Sequence, residues 1–257
     1  MSETKLQVCK LCGEEKKLIK AHIIPFCFFK PLLKSGVPRQ HKLDTNPRLS
    51  KRVPNGKWDK NLVCVGCDNL FGKYESYAKK VLIDDFHNLT KPFSDGDDRF
   101  LEISNIDFNK IRLFVLSLLW KSSKTKMEAF SKVNLGKMFE ERIKQEIITE
   151  FSEDFSNFPM LFAFDRVEFL DQLHVEPLRL RIFNLNAYRF NLGRLSISII
   201  VDSQKFSKYL ASKILPLTLT SSGPLVIYRS NFLQTGHYST VDEYFFRNEK
   251  IFSLMSN

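Results

Sequence analysis

Asn61-Leu62-Val63-Cys64-Val65-Gly66-Cys67-Asp68-Asn69 contains one C-x-x-C pair, and Cys9-Lys10-Leu11-Cys12 contains a second. Four thiolates arranged in two such pairs match the tetrahedral coordination of a structural Zn²⁺, which takes four soft ligands and keeps no open position. Any chemistry must then come from residues that the metal centre holds in place. The predicted zinc ligands are Cys9, Cys12, Cys64 and Cys67.

The spacing of apolar residues becomes helical after the second pair. Phe71, Tyr74 and Ala78 recur at intervals of three and four, which places Cys64 and Cys67 at the N-terminus of a helix. Gly13 follows the first pair and supplies the turn that a zinc knuckle needs. A knuckle, a β-hairpin and a helix that begins at the second pair predict a treble-clef finger.

His22 lies between the two pairs, in Lys20-Ala21-His22-Ile23-Ile24-Pro25. Pro25 biases Ile24 towards an extended conformation, so we expect His22 on a strand or at its end. An imidazole, with an ordinary pKa of about 6.5, can accept a proton near neutral pH and so act as a general base. The alternatives are a core histidine hydrogen-bonded to the backbone, or a zinc ligand that replaces one cysteine.

Asp68 and Glu75 are seven residues apart on the predicted helix. This spacing is two turns, so both carboxylates project from nearly the same face. Carboxylate oxygens are hard ligands that suit Mg²⁺ or Mn²⁺. The pair is interpreted either as half of a metal site or as two solvated acids.

The order of these elements resembles the zinc-stabilised branch of the HNH (ββα-metal) endonucleases, over residues 9–75. The resemblance implies a metal-dependent endonuclease that hydrolyses phosphodiester bonds, acting on DNA in preference to RNA, in a bacterial defence or mobile-element setting. It implies that His22 is the general base and that Asn61 or Asn69 orients it. The residues that would hold a catalytic Mg²⁺ or Mn²⁺, apart from the zinc, are Asp68, Asn69 and Glu75.

Two positions differ from the pattern of that family. Ala21 stands where the family usually has an Asp or His that binds the catalytic cation, and the chain has no histidine between the second cysteine pair and His87. A second hypothesis is therefore a catalytically inactive zinc finger that binds nucleic acid, with a C-terminal effector or oligomerisation domain. A third is a zinc-stabilised scaffold for protein partners. His41 is an alternative base or phosphate contact.

Positive charge is concentrated in the cysteine-bearing segment. Residues 1–83 contain 17 Lys and Arg against 7 Asp and Glu, a net charge of +10, whereas residues 84–257 contain 22 of each and sum to zero. The long polar stretch 35–61 is interpreted as a basic loop or loosely paired hairpin. This asymmetry favours contact between residues 1–83 and a nucleic-acid backbone. The alternative is a solubilising surface.

The remainder of the chain predicts two helices and then an antiparallel sheet. The helices are expected over 106–121 and 136–151, and the strands over 160–164, 178–183, 195–201 and 224–228, with a closing helix over 240–253. Leu116-Ser-Leu-Leu-Trp-Lys-Ser-Ser123 is interpreted as buried helix with no activity. The polar stretch 90–98 is interpreted as a domain edge. The predicted fold class is therefore α+β, with a zinc-bound treble-clef (ββα-metal) domain at 1–88 and a larger α+β domain of unknown role at 99–257.

Cysteine usage and hydropathy indicate a cytoplasmic protein without a membrane partner. The chain has no run of 18 apolar residues, and its first residues lack the apolar stretch of a signal peptide. A reducing compartment keeps thiols free, which favours metal binding over disulfides. Cys27, the fifth cysteine, is expected to be a small buried apolar side chain. A homo-oligomeric interface or a protein partner through residues 99–257 is left open.

Overall fold

The computed structural model describes residues 6–29, 40–42, 52–53, 57–94, 97–166, 173–174, 177–204 and 218–230. Within them the chain forms a mixed α+β fold. The strands are β1 (Gln7–Val8), β2 (Glu15–Lys16), β3 (Ala21–His22), β4 (Gln40–Lys42), β5 (Arg52–Val53), β6 (Trp58–Asp59), β7 (Lys91–Ser94), β8 (Asp97–Ile103), β9 (Met160–Asp165), β10 (Leu173–His174), β11 (Leu178–Ile182), β12 (Leu185–Leu192), β13 (Leu195–Ile200) and β14 (Leu225–Ser230).

Short paired strands precede the first helix. β1 and β2 are antiparallel and are joined through a turn at Gly13, whose φ of 79° is in the left-handed region that favours glycine. β3 pairs antiparallel with β6, so that His22 lies on a strand as predicted. Within the predicted basic loop, β4 pairs antiparallel with β5. Strand β10, which lies far along the chain from this loop, pairs parallel with β4. The predicted turn at Gly13 is confirmed.

Helix α1 (Val65–Lys79) begins directly after Cys64, as its spacing predicts. It buries Cys67, Phe71, Tyr74 and Ala78 and continues through one π-helical turn (Lys80–Asp84) into the short helix α2 (Phe86–Leu89). The predicted three-and-four spacing therefore marks the buried face of α1.

The helices predicted over 106–121 and 136–151 are present, and the closing helix predicted over 240–253 lies outside the described residues. Helix α3 (Phe108–Lys124) begins at Asp107, whose side chain accepts a hydrogen bond from the backbone amide of Lys110, and it is buried along most of its length. Helix α4 (Lys137–Thr149) buries Ile143 and Ile147 and packs against α3.

Seven strands form one mostly antiparallel sheet in the order β11-β12-β13-β9-β14-β8-β7. The one parallel pair is β9 with β14. The predicted antiparallel sheet is confirmed, but the polar stretch 90–98 contains β7 and the start of β8 rather than a plain linker. β7 lies at the edge of the described sheet, where Pro92 and charged side chains are tolerated because no other described strand bonds to that edge.

One apolar cluster connects the cysteine-bearing segment to the sheet. It includes Cys9 and Phe71 at one end and Ile197 at the other. Phe71 lies against Trp120 of α3 with ring centroids 6.2 Å apart, and Phe28 stacks on Phe114 at 5.2 Å. The division into domains 1–88 and 99–257 stays a prediction. In the described part of the chain, no helix is both long enough and apolar enough to cross a bilayer.

Candidate metal centre and the adjoining polar cluster

The four predicted cysteines come together. Their sulfur atoms all lie within 4.8 Å of one another, and the Sγ atoms of Cys9 and Cys67 are 3.6 Å apart. A tetrahedral site with metal–sulfur bonds of about 2.3 Å requires sulfur–sulfur distances of about 3.8 Å. The donor set and its spacing therefore fit a metal ion, and the chain positions four cysteines to bind one.

The knuckle and the helix start fix these thiols. The backbone amide of Cys64 donates to Sγ of Cys9 at 3.4 Å, and both residues are buried. Burial raises the pKa of the Cys9 thiol, but backbone hydrogen bonds from Cys12, Cys64 and Leu11 outweigh burial and lower that pKa to about 7. Because metals bind the thiolate, the backbone donors around Cys9 favour the form of that thiol that binds a cation, whereas burial raises the pKa of Cys12 and Cys67.

Cys27 does not belong to the four-cysteine group. It packs, half-buried, against the apolar cluster, as its sequence context predicts. Burial raises the pKa of its thiol to about 11, and the negative charge of Glu75 adds to this rise. Cys27 is therefore a neutral apolar side chain at physiological pH.

A second group of polar residues, here called the His22 cluster, consists of His22, Asp68, Glu75 and Lys121. Lys121 comes from α3, and its Nζ donates to Oε1 of Glu75 at 2.6 Å and to the backbone carbonyl of His22 at 2.9 Å. Its side chain is only 1% exposed, against 21% for that of Glu75. One ammonium group thus joins strand β3, helix α1 and helix α3.

The charges of the His22 cluster act on one another. Burial raises the pKa of Asp68 above its ordinary value and the charge of Glu75 adds to this rise, whereas Lys121 and His22 oppose it. Burial lowers the pKa of His22. The negative charge of Glu75 raises this pKa, and the positive charge of Lys121 lowers it. The negative charge of Glu75 thus acts on Asp68, and burial favours the neutral form of His22.

Asn61 and Asn69 lie outside this cluster. Asn69 is exposed on α1, about 100° around the helix axis from Asp68. The backbone amide of Asn61 donates to Oδ1 of Asp59 at 2.8 Å. Among the described residues, no hydrogen bond joins either asparagine to His22, so their predicted roles stay predictions. His41 lies in β4, but its side chain is outside the described part of the chain.

Lys121 is the residue of the cluster that the sequence did not identify. It lies in a helix segment that is buried on every side from Ile111 to Ser122. A lysine in such a segment is rarely buried without a charged partner. That mismatch, a charge within an apolar helix, is the signal that could have identified it.

Comparison of the chain with protein-family models, curated proteins and solved structures gave no match. The geometry of the two residue groups is therefore the basis for a functional proposal.

Proposed function

We propose that this protein is an HNH-like, metal-dependent endonuclease that hydrolyses phosphodiester bonds of DNA, with His22 as its general base. One observation carries the proposal: Lys121 bonds the backbone carbonyl of His22 on strand β3 and Oε1 of Glu75 on helix α1, so the strand of the base lies beside the helix whose first turn carries half of the cysteine centre. The resemblance to HNH endonucleases calls for the base and the metal-held helix start, and the two carboxylates would substitute for the helix histidine that this chain lacks.

The metal in the cysteine centre is Zn²⁺ with a structural role. The four thiols leave no position for water, which suits a structural zinc ion and not a catalytic one. The hairpin β1–β2, the knuckle at Cys9–Gly13 and helix α1 then make up a treble clef. The free thiols also suit a reducing cytoplasm.

His22 removes a proton from the attacking water. Its lowered pKa keeps the imidazole neutral at pH 7, which is the form that can accept a proton. A positioned base of this kind contributes about 10²- to 10⁴-fold in rate. Lys121 bonds the backbone carbonyl of His22 and so holds the strand that carries the base.

Asp68 and Glu75 would hold Mg²⁺ or Mn²⁺, and Asn69, which follows Asp68 in the chain, would have to turn towards them to add a ligand. Their oxygens suit a hard cation, and the repulsion between the two carboxylates indicates that positive charge is favourable there. Such a cation supplies Lewis-acid stabilisation of the phosphate and the leaving oxygen. Lys121 orients the carboxylate of Glu75 through Oε1.

An inactive nucleic-acid-binding finger is the second candidate, and Lys121 is the observation that favours it. Its ammonium already neutralises Glu75, and Ala21 offers no ligand to a cation. In this alternative the basic segment 1–83 binds nucleic acid and residues 99–257 act as effector or oligomerisation surface.

Plasmid cleavage with Mg²⁺ or Mn²⁺ separates the two candidates. We expect His22→Ala to lower the cleavage rate by about 10²- to 10⁴-fold, whereas the matched variant His87→Ala, at an exposed histidine on α2, keeps the wild-type rate. Equal nicking by wild type and His22→Ala removes His22 from the mechanism. Absence of cleavage on any DNA or RNA leaves the binding module.

A further inference from the structure

A cavity of about 640 Å³ lies beside strand β6. Its volume is within the range of about 300–1,000 Å³ that is common for ligand sites. The residues that matter for its chemistry are Lys10, Trp58, Asp59, Lys60, Asn61 and Lys126.

The cavity is positively charged. Three lysines line it against one carboxylate, and the oxygens of that carboxylate already have donors: Oδ1 of Asp59 accepts from the amide of Asn61 at 2.8 Å, and Oδ2 accepts from the hydroxyl of Thr125 at 2.7 Å. Both carboxylate oxygens of Asp59 are therefore already hydrogen-bonded within the protein. The unbalanced charge that remains favours an anionic ligand.

Lys10 is the most constrained of the three lysines. Its Nζ donates to the backbone carbonyl of Lys124 at 2.6 Å. Lys60 and Lys126 are exposed, so their ammonium groups are accessible to a phosphate at the mouth of the cavity.

Trp58 connects the cavity to the His22 cluster. It lies directly opposite His22 in the antiparallel pair β3–β6, and directly opposite residues have their Cβ atoms about 4.5–5.5 Å apart on the same face. Its half-buried ring also has Nζ of Lys20 at 3.5 Å from the ring centroid and Nζ of Lys60 at 5.6 Å. An aromatic ring and a set of lysines thus form one surface that ends beside the proposed base.

We propose that this cavity binds a single-stranded segment of nucleic acid, with its phosphates at Lys10, Lys60 and Lys126 and one base stacked on Trp58. A basic groove with an aromatic platform is the arrangement that binds single strands, because every base has a face that can stack. In a duplex the base faces are already stacked on one another and cannot reach a ring inside a cavity. Lys20 is exposed, so its ammonium group can leave the Trp58 ring and bind a phosphate when a base stacks there. The inference rests on the proposed function and names its substrate as single-stranded.

The first test uses tryptophan fluorescence without added Mg²⁺ or Mn²⁺. The chain has two tryptophans, and Trp120 is fully buried, so Trp120→Phe leaves Trp58 as the reporter. We expect a thymidine 12-mer to quench this fluorescence in a saturable way, and a blunt duplex of equal length to bind at least tenfold more weakly. Trp58→Ala should weaken binding by about 5- to 150-fold, and Trp58→Phe by much less. Binding of the 12-mer, seen by anisotropy, without quenching would overturn the contact, and equal affinity for the duplex would overturn the substrate class.

The second test measures how binding depends on salt. Replacement of Lys10, Lys60 and Lys126 by Gln should reduce the slope of log affinity against log salt by about 2, since a single strand releases about 0.7 counterion per neutralised phosphate. The matched variant replaces three exposed lysines that do not line the cavity and lie outside residues 1–83, Lys91, Lys132 and Lys137. Equal slopes for the two triple variants would contradict the proposal. Equal competition by polyglutamate of the same charge would show an acidic peptide site instead.

Binding and cleavage are measured separately, so the two proposals can fail separately. His22→Ala should keep the affinity for the 12-mer and lose cleavage. Normal binding without cleavage leaves the cavity proposal standing and removes the endonuclease. Normal cleavage of duplex DNA without quenching of Trp58 fluorescence removes the cavity proposal and leaves the endonuclease standing.

Discussion

Replacement of Lys121 by Met removes one buried charge while keeping the volume of the side chain. The side chain of Lys121 is 1% exposed, and loss of its ammonium leaves the carboxylate of Glu75 and the carbonyl of His22 without this donor. Breaking a buried ion pair in this way costs about 3–5 kcal/mol. Because the side chain of Glu75 is 21% exposed and can turn towards water, we expect the lower end, about 3 kcal/mol.

Urea denaturation measures this loss as a lower free energy of unfolding. The matched control is Lys110→Met on the same helix, where the lysine is 46% exposed and its ion pair with Asp107 should contribute less than about 1 kcal/mol. The double variant Lys121→Met/Glu75→Met removes both charges and should recover at least half of the loss, since apolar pairs of similar volume often replace buried ion pairs. Equal effects of Lys121→Met and Lys110→Met would show that the buried ion pair adds no more stability than an exposed one.

Two further predictions concern the metal centre and the base. Metal analysis should find about one zinc ion per chain, and Cys9→Ser should lose that zinc and unfold the cysteine-bearing segment, whereas Cys27→Ser should keep it, because Cys27 is outside the four-thiol group. The cleavage rate should rise with pH through the pKa of His22 and level off above it, since burial lowers that pKa below about 6.5. The same shift removes stability as pH falls below about 6.5, because folding favours the neutral imidazole. An NMR titration that places the pKa of His22 above 6.5 would contradict both statements.

Local patterns were enough to predict most of the secondary structure. The spacing of Phe71, Tyr74 and Ala78 predicted the buried face of α1, and the alternation in residues 195–201 predicted strand β13. These patterns succeed because a helix or strand has a fixed period, and the side that faces the core must be apolar. Strands β7, β8 and β12 were missed; the polar residues 90–98, which contain β7 and the start of β8, resemble a linker.

The C-x-x-C spacing likewise predicted which four cysteines meet, because a structural zinc ion takes four thiolates and two C-x-x-C pairs supply that number. Spacing on α1 also placed Asp68 and Glu75 on one face. Spacing within one segment, however, carries no information about which distant helix packs against it. The contact of Lys121 with His22 joins residues 99 positions apart, and it depends on how α3 packs on α1.

The register of β3 against β6 is a second feature that tertiary structure decides. Strands of two residues have too little hydrophobic pattern to specify their pairing, and a slip of one residue would turn Trp58 to the opposite face. The observed register places Trp58 beside His22 and next to the cavity. Short-range spacing therefore specifies the cysteine centre and the helix that it starts. Long-range packing supplies the buried lysine and the aromatic ring that stand beside the histidine.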